Sequence, residues 1–152
     1  MGQIHARSPI SYACDDAGGI ASDASRYASL LIEARERVVV ALMRLPHGDQ
    51  AIVEMVKLQE YCLSPTHPRG RHKARVFAAV LGITADNAEI LRDALLRAAL
   101  AGDAILTSQD AFGQRYVIDF QMQGPRGTAI VRSAWIVRTG EHIPRLTSCY
   151  VR

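Results

Sequence analysis

Between Ser64 and Phe77 the chain sets His67, Arg69, Arg71, His72, Lys73 and Arg75 in a span that holds no acid. Guanidinium and ammonium groups hold phosphate oxygens, and imidazole is the side chain that exchanges a proton near neutral pH, so the combination suits work on a phosphate ester. Pro65, Pro68 and Gly70 break the approach into a loop. That loop leaves backbone N–H groups free at the start of the helix that follows, and the nearby cations strengthen the pull on an anion. A helix starting near Arg71 stacks Arg71 and Arg75 one turn apart and sends Lys73 to the arc of Ala74, Phe77, Val80 and Leu81. A lysine there either packs its stem and leaves its head in water or reaches into a cleft.

A second set of polar groups lies near the C-terminal end. On a strand through Leu146, Ser148 and Tyr150, alternate residues share a face, so a hydroxyl and a phenol project side by side. Ser133 and Trp135 repeat the pattern upstream. If that face lines a cleft beside the basic loop, Lys73 or His67 meets Ser148 and Tyr150.

The elements that must position these groups change period along the chain. Residues 1 to about 20, broken by Gly2, Pro9, Gly18 and Gly19, read as a tail. From Ser22 or Asp23 to just before Pro46, the apolar positions Tyr27, Leu30, Leu31, Ala34, Val38, Ala41 and Leu42 predict an amphipathic helix. A turn at Leu45 to Gly48 and a short extended piece at Ala51 to Val53 precede a helix over Val56 to Leu63. The basic helix runs from Arg71 to Leu81 and stops at Gly82. Asp86 and Glu89 read as a capping box for a helix with the stripe Ile90, Leu91, Ala94, Leu95 and Ala98, ending near Gly102. Four β-rich segments follow: Ala104 to Ser108, Gln114 to Met122, Thr128 to Arg138 and Ile143 to Val151. Tyr116, Ile118, Phe120 and Met122 face the core in the second. The expected class is α+β, with N-terminal helices packed on a four-stranded antiparallel meander.

Composition narrows the field. With 152 residues, 49% hydrophobic and 22% charged, the chain suits one soluble domain, and a net charge of +3 permits an anionic partner without requiring one. Cys14, Cys62 and Cys149 are odd in number and lack C-x-x-C spacing, which argues against a zinc knuckle, a redox motif or a disulfide framework. They read as inert residues of the core or tail in a reducing cytoplasm. The longest apolar stretch, Val38 to Met43, is too short to span a bilayer. The signatures G-x-S-x-G, H-E-x-x-H, G-x-G-x-x-G and the P-loop are missing, so no metal or cofactor is expected.

The ordered run from His67 to Phe77, Leu81-Gly82, Gly124-Pro125-Arg126-Gly127-Thr128-Ala129 leading to Trp135-Ile136, and Leu146-Thr147-Ser148-Cys149-Tyr150 resembles a family of small bacterial domains of unknown function. The resemblance covers residues 43–152. Similar domains occur at the C-termini of polymorphic secreted toxins and are grouped with the barnase, EndoU, colicin and RelE-like ribonucleases. The resemblance implies helices followed by a four-stranded antiparallel sheet, RNA as substrate without metal or cofactor, and a cognate antitoxin or immunity-like partner of acidic character. It marks His67, Gly70, Lys73, Phe77, Trp135, Ser148 and Tyr150. Residues 1–42 match nothing in it and stand as a tail with a helical arm, or as translation from a start upstream of the true one at Met43.

Cleaving RNA without metal requires a base for the 2′-hydroxyl, stabilisation of the phosphorane oxygens and a proton for the leaving 5′-oxygen. The expected roles are His67 as base or acid, Lys73 as oxyanion stabiliser, Ser148 as an orienting donor and Tyr150 as an acid or a stacking platform. Arg69, Arg71, Arg75 and Trp135 are expected to bind RNA, with Trp135 stacking a base. The competing expectation is a non-catalytic module whose basic loop binds RNA or an acidic protein. Against both stand the plain structural readings: His67 capping the loop, a solvated arginine face, and Trp135 and Tyr150 packing in the sheet.

Overall fold

The computed structural model describes residues 42–152, and the expected tail and most of the expected helical arm lie outside the described residues. Strand β1 spans Leu42–Arg44. Helix α1 covers Met55–Lys57 and widens into a π-helical turn over Leu58–Cys62. Helix α2 repeats that plan, with Arg71–Val76 followed by a π-helical turn over Phe77–Leu81. Helix α3 spans Ala88–Ala101. Strands β2 (Asp103–Asp110), β3 (Gly113–Gln123), β4 (Thr128–Arg138) and β5 (Arg145–Val151) complete an α+β domain.

The sheet has five strands, not four, in the order β1-β2-β3-β4-β5, and every neighbouring pair is antiparallel. The added strand corrects the helix reading at Leu42, because Leu42–Arg44 pairs with the edge of β2 instead, Leu42 opposite Ile105 and Arg44 opposite Asp103. Long-range pairing overrides a local period here. Ala51 to Val53 shrinks to a single parallel bridge between Ile52 and Arg145, flanked by Ile52 N–H to the Pro144 carbonyl at 2.9 Å and Leu146 N–H to the Ile52 carbonyl at 3.0 Å.

The helices cover one face of the sheet. Leu58, Phe77, Leu81, Leu91 and Leu95 are fully buried against Ile118, Val131 and Trp135. Each such side chain contributes roughly 1.5–3 kcal/mol by leaving water, so this seam holds the domain together. Phe77 and Leu81 share the buried face of α2, whereas Val80, expected beside them, is 39% exposed. Gly82 ends α2 with φ 70°, as its position predicts, and its neighbour's N–H reaches back to the Phe77 carbonyl at 3.1 Å. The capping box before α3 is formed by Thr84 and Asn87 rather than Asp86 and Glu89, because a 3-10 turn over Ala85–Asn87 starts the helix earlier.

One irregularity decides what β5 displays. Ser148 pairs with Ala134, but Leu146 pairs with Trp135, so Thr147 is an extra residue in the ladder. Its hydroxyl donates to the Ala134 carbonyl at 2.9 Å. The bulge shifts the alternation: Leu146 and Cys149 both face the core with Trp135 and Ser133, while Ser148 and Tyr150 oppose Ala134 and Arg132 on the other side. The shared face expected for Leu146, Ser148 and Tyr150 is thereby corrected.

Candidate functional site at the β5 edge

Lys73 is the hub. From the third position of α2 its ammonium donates to Ser148 Oγ at 2.7 Å. The same Nζ lies 5.0 Å from the ring centroid of Tyr61 and 5.9 Å from that of Tyr150. Two aromatic rings and a hydroxyl oxygen thus surround a positive charge, an arrangement that holds the cation in place. The strand matters because β5 is one of the two edge strands of the sheet. A long side chain from a helix beside it can reach a residue that points away from the helix-covered core. Lys57, one helix earlier, donates to the Leu146 carbonyl at 3.0 Å and ties α1 to the strand just before the bulge.

The loop before α2 is built around His67. Its Nδ1 accepts the backbone N–H groups of Arg69 at 3.2 Å and Gly70 at 3.0 Å, and its own N–H reaches Ser64 Oγ at 3.2 Å. The neutral ring therefore carries its proton on Nε2. The imidazole meets Tyr61 edge-on, with centroids 4.9 Å apart. Gly70 is required at its position because a Cβ there would run into the Tyr61 carbonyl. Tyr61 thus touches both His67 and Lys73 and joins the loop to the helix, yet no local pattern in the sequence marks it.

On the Tyr150 side, Arg132 is its cross-strand partner. Arg132 grips Asp119 with two hydrogen bonds of 2.7 Å, and Arg152 adds a third at 2.8 Å. The Asp119 hydrogen bond, with help from the Tyr150 phenol, pushes the Arg132 guanidinium further up, and Arg132 holds the Asp119 carboxyl below its ordinary range. Two arginines sharing one carboxylate leave a net positive charge beside Tyr150. Sequence reasoning missed this cluster, although the alternation of β3 and β4 places Asp119 and Arg132 on the polar side.

The expected residues therefore divide. Lys73, Ser148 and Tyr150 come together, and His67 joins them through Tyr61. Arg69, Arg71 and Arg75 are exposed. Trp135 is elsewhere: it is 1% exposed, and its Nε1–H donates at 2.9 Å to Ser133 Oγ, which in turn donates to the Ile118 carbonyl at 3.2 Å. The stacking role expected of Trp135 is corrected, since a sealed indole offers no face to a base. Phe77, likewise buried, is a core residue. Behind the site Cys62 and Cys149 are free and buried. A hydrogen bond to Cys62, together with burial, pushes the Cys149 thiol well up, so it stays protonated. Among the described residues no group of three or more His, Cys, Asp or Glu side chains could hold a metal ion, and no helix is long and apolar enough to cross a membrane.

These features define an α+β domain with a lysine–serine–tyrosine cluster where helix α2 meets an edge strand of its sheet. A family model described as Domain of unknown function (DUF6883) matches residues 44–152, and the chain belongs to that family. No curated protein and no solved structure matches the chain.

Proposed function

We propose that the domain is a metal-independent ribonuclease of the toxin type, restrained by a cognate acidic partner. The observation that supports it most is the 2.7 Å contact between Lys73 and Ser148 with Tyr150 alongside. It provides an ammonium to stabilise a phosphorane oxygen and a hydroxyl to orient the phosphate. Arg132 adds a second cation next to Tyr150, and the Nε2–H of His67 is available as a donor to a phosphate or leaving oxygen. Arg69 and the exposed arginines of α2 are suited to contacts along the RNA backbone.

A second reading is favoured by His67 itself. Its Nδ1 is committed to two loop N–H groups, so a free lone pair on Nε2 for base catalysis would place the ring proton on Nδ1 and break those bonds. No other side chain of the cluster is placed as an evident general base. A non-catalytic module that binds RNA or an acidic protein is the alternative this geometry supports. Incubating the purified chain with single-stranded RNA in excess chelator separates the two. The ribonuclease reading expects cleavage that Lys73→Met reduces roughly 10²–10³-fold. RNA left intact at stoichiometric protein, with binding retained, overturns it in favour of the module.

A further inference from the structure

The outer face of α2, whose arginines the cleavage proposal uses only along the RNA backbone, also walls a second candidate site apart from the Lys73 cluster. Arg71, Ala74, Arg75 and Ala78 recur at positions i, i+3, i+4 and i+7, so they share one helical face, while Lys73 and Phe77 lie on another. That first face forms one wall of a cavity of about 440 Å³, lined also by Leu63 and Asp86. Its size lies within the roughly 300–1,000 Å³ of small-molecule sites.

Three features of the cavity constrain its ligand. Arg71 and Arg75 stand one turn apart, and neither forms an ion pair among the described residues. Their charge is available to an anion, and two neighbouring guanidiniums match the oxygens of a phosphate. Between the charged groups the lining is mostly apolar, with Leu63, Pro65, Ala74, Ala78 and Ala85 beside the single hydroxyl of Thr84, and suits a flat apolar body. Asp86 supplies an acceptor on the rim. It sits in the 3-10 turn that leads into α3, where the helix N-terminus complements its charge, and it pairs with neither arginine.

A ligand that satisfies all three has a phosphate at one end, a planar apolar body, and N–H donors at the other end. We propose that this cavity binds a nucleotide, with its phosphate between Arg71 and Arg75, its base against the apolar lining and a base N–H donated to Asp86. A lone phosphate leaves that lining and Asp86 unused, and an uncharged nucleoside leaves the guanidiniums unused. The nucleotide is either free or a unit of an RNA chain; the chemistry is the same, and the inference does not require that RNA be cleaved.

Titration of the full chain with adenosine monophosphate, followed by amide chemical shifts, tests it. Saturable shifts are expected at Ala74, Ala78 and Asp86. Arg71→Ala with Arg75→Ala should weaken binding about tenfold or more, as loss of charge-assisted hydrogen bonds predicts, and Asp86→Ala should weaken it less. Arg71→Lys with Arg75→Lys keeps the charge but not the fork, and should fall between. Adenosine and inorganic phosphate should each bind at least about tenfold more weakly than the nucleotide. Lys73→Met should leave the saturable shifts at Ala78 and Asp86 in place while it lowers cleavage, so failure of this site and failure of the cleavage proposal read out separately. Tighter binding of a trinucleotide than of the monophosphate identifies the chain unit as the ligand, and equal binding identifies the free nucleotide. No saturable shift on this face, binding indifferent to the double arginine substitution, or phosphate binding as tightly as the nucleotide overturns the proposal.

Discussion

The sheet contains the same short pattern twice, a serine followed two residues later by a large aromatic, and uses it in opposite ways. On β4, Ser133 and Trp135 are sealed against the helices, and each spends its polar atom inside the core, indole to hydroxyl and hydroxyl to the Ile118 carbonyl. On β5, Ser148 and Tyr150 point away from that core, and their polar groups meet Lys73 and Arg132 from other elements. The difference arises from strand position and from one extra residue, Thr147. A hydroxyl–aromatic pair in an inner strand facing the helices is packing, whereas the same pair on an outer strand, turned by a bulge, is accessible to a helix side chain.

Replacing the two aromatics should show this contrast most strongly. Trp135→Ala should cost about 3–5 kcal/mol in chemical denaturation, the range for emptying a large core site. Tyr150→Ala, at a position 38% exposed, should cost far less. A Trp135→Ala chain that folds normally but loses RNA binding would reverse the comparison.

On the proposed ribonuclease reading, Lys73→Met should reduce RNA cleavage roughly 10²–10³-fold, the usual loss for one oxyanion-stabilising group, with a much smaller change in melting temperature than Trp135→Ala produces. Equal losses of activity and stability would make Lys73 a structural residue.

The serines sharpen the point at lower energy. Ser133→Ala leaves the buried Trp135 Nε1–H without its acceptor and should destabilise by about 1–3 kcal/mol, measured by urea unfolding. Ser148→Ala should change stability by only about 0.5 kcal/mol or less and act instead on cleavage rate. A stability loss from Ser148→Ala that matches the one from Ser133→Ala would erase the distinction between the two pairs.

The smallest expected effect concerns the support of Tyr150. Arg132 holds the folded-state pKa of Asp119 below its ordinary value, so the cluster stabilises the fold above the usual aspartate range, near pH 3.9. That contribution fades as pH falls toward the lowered value. Asp119→Asn should flatten the acid limb of a melting-temperature profile and leave the neutral region nearly unchanged. An unaltered acid limb would show that the ion pairs contribute nothing to stability, as exposed pairs often do.

Much of this architecture was legible because its signals are local. The apolar stripe Leu91, Ala94, Leu95 and Ala98 marks α3, Gly82 marks the end of α2, and alternation through Tyr116, Ile118 and Met122 marks the core face of β3. Lys73 and Ser148 could be proposed as neighbours from their residue types and expected elements. Tyr61 could not, because its role depends on a ring meeting two residues that follow it through a loop.

The amino-acid order by itself determined the helical and strand periods, the punctuation by glycine and proline, and the gathering of cations between Arg69 and Arg75. Those depend on backbone conformation and on neighbours within a turn or two. Only the tertiary structure decided that Leu42–Arg44 joins the sheet, that Thr147 shifts the alternation of β5, and that Trp135 is enclosed while Tyr150 stands beside Lys73. A strand's period of two says that alternate side chains share a face, but which face is buried and where the count slips depend on the strand it pairs with and the helices that pack against it.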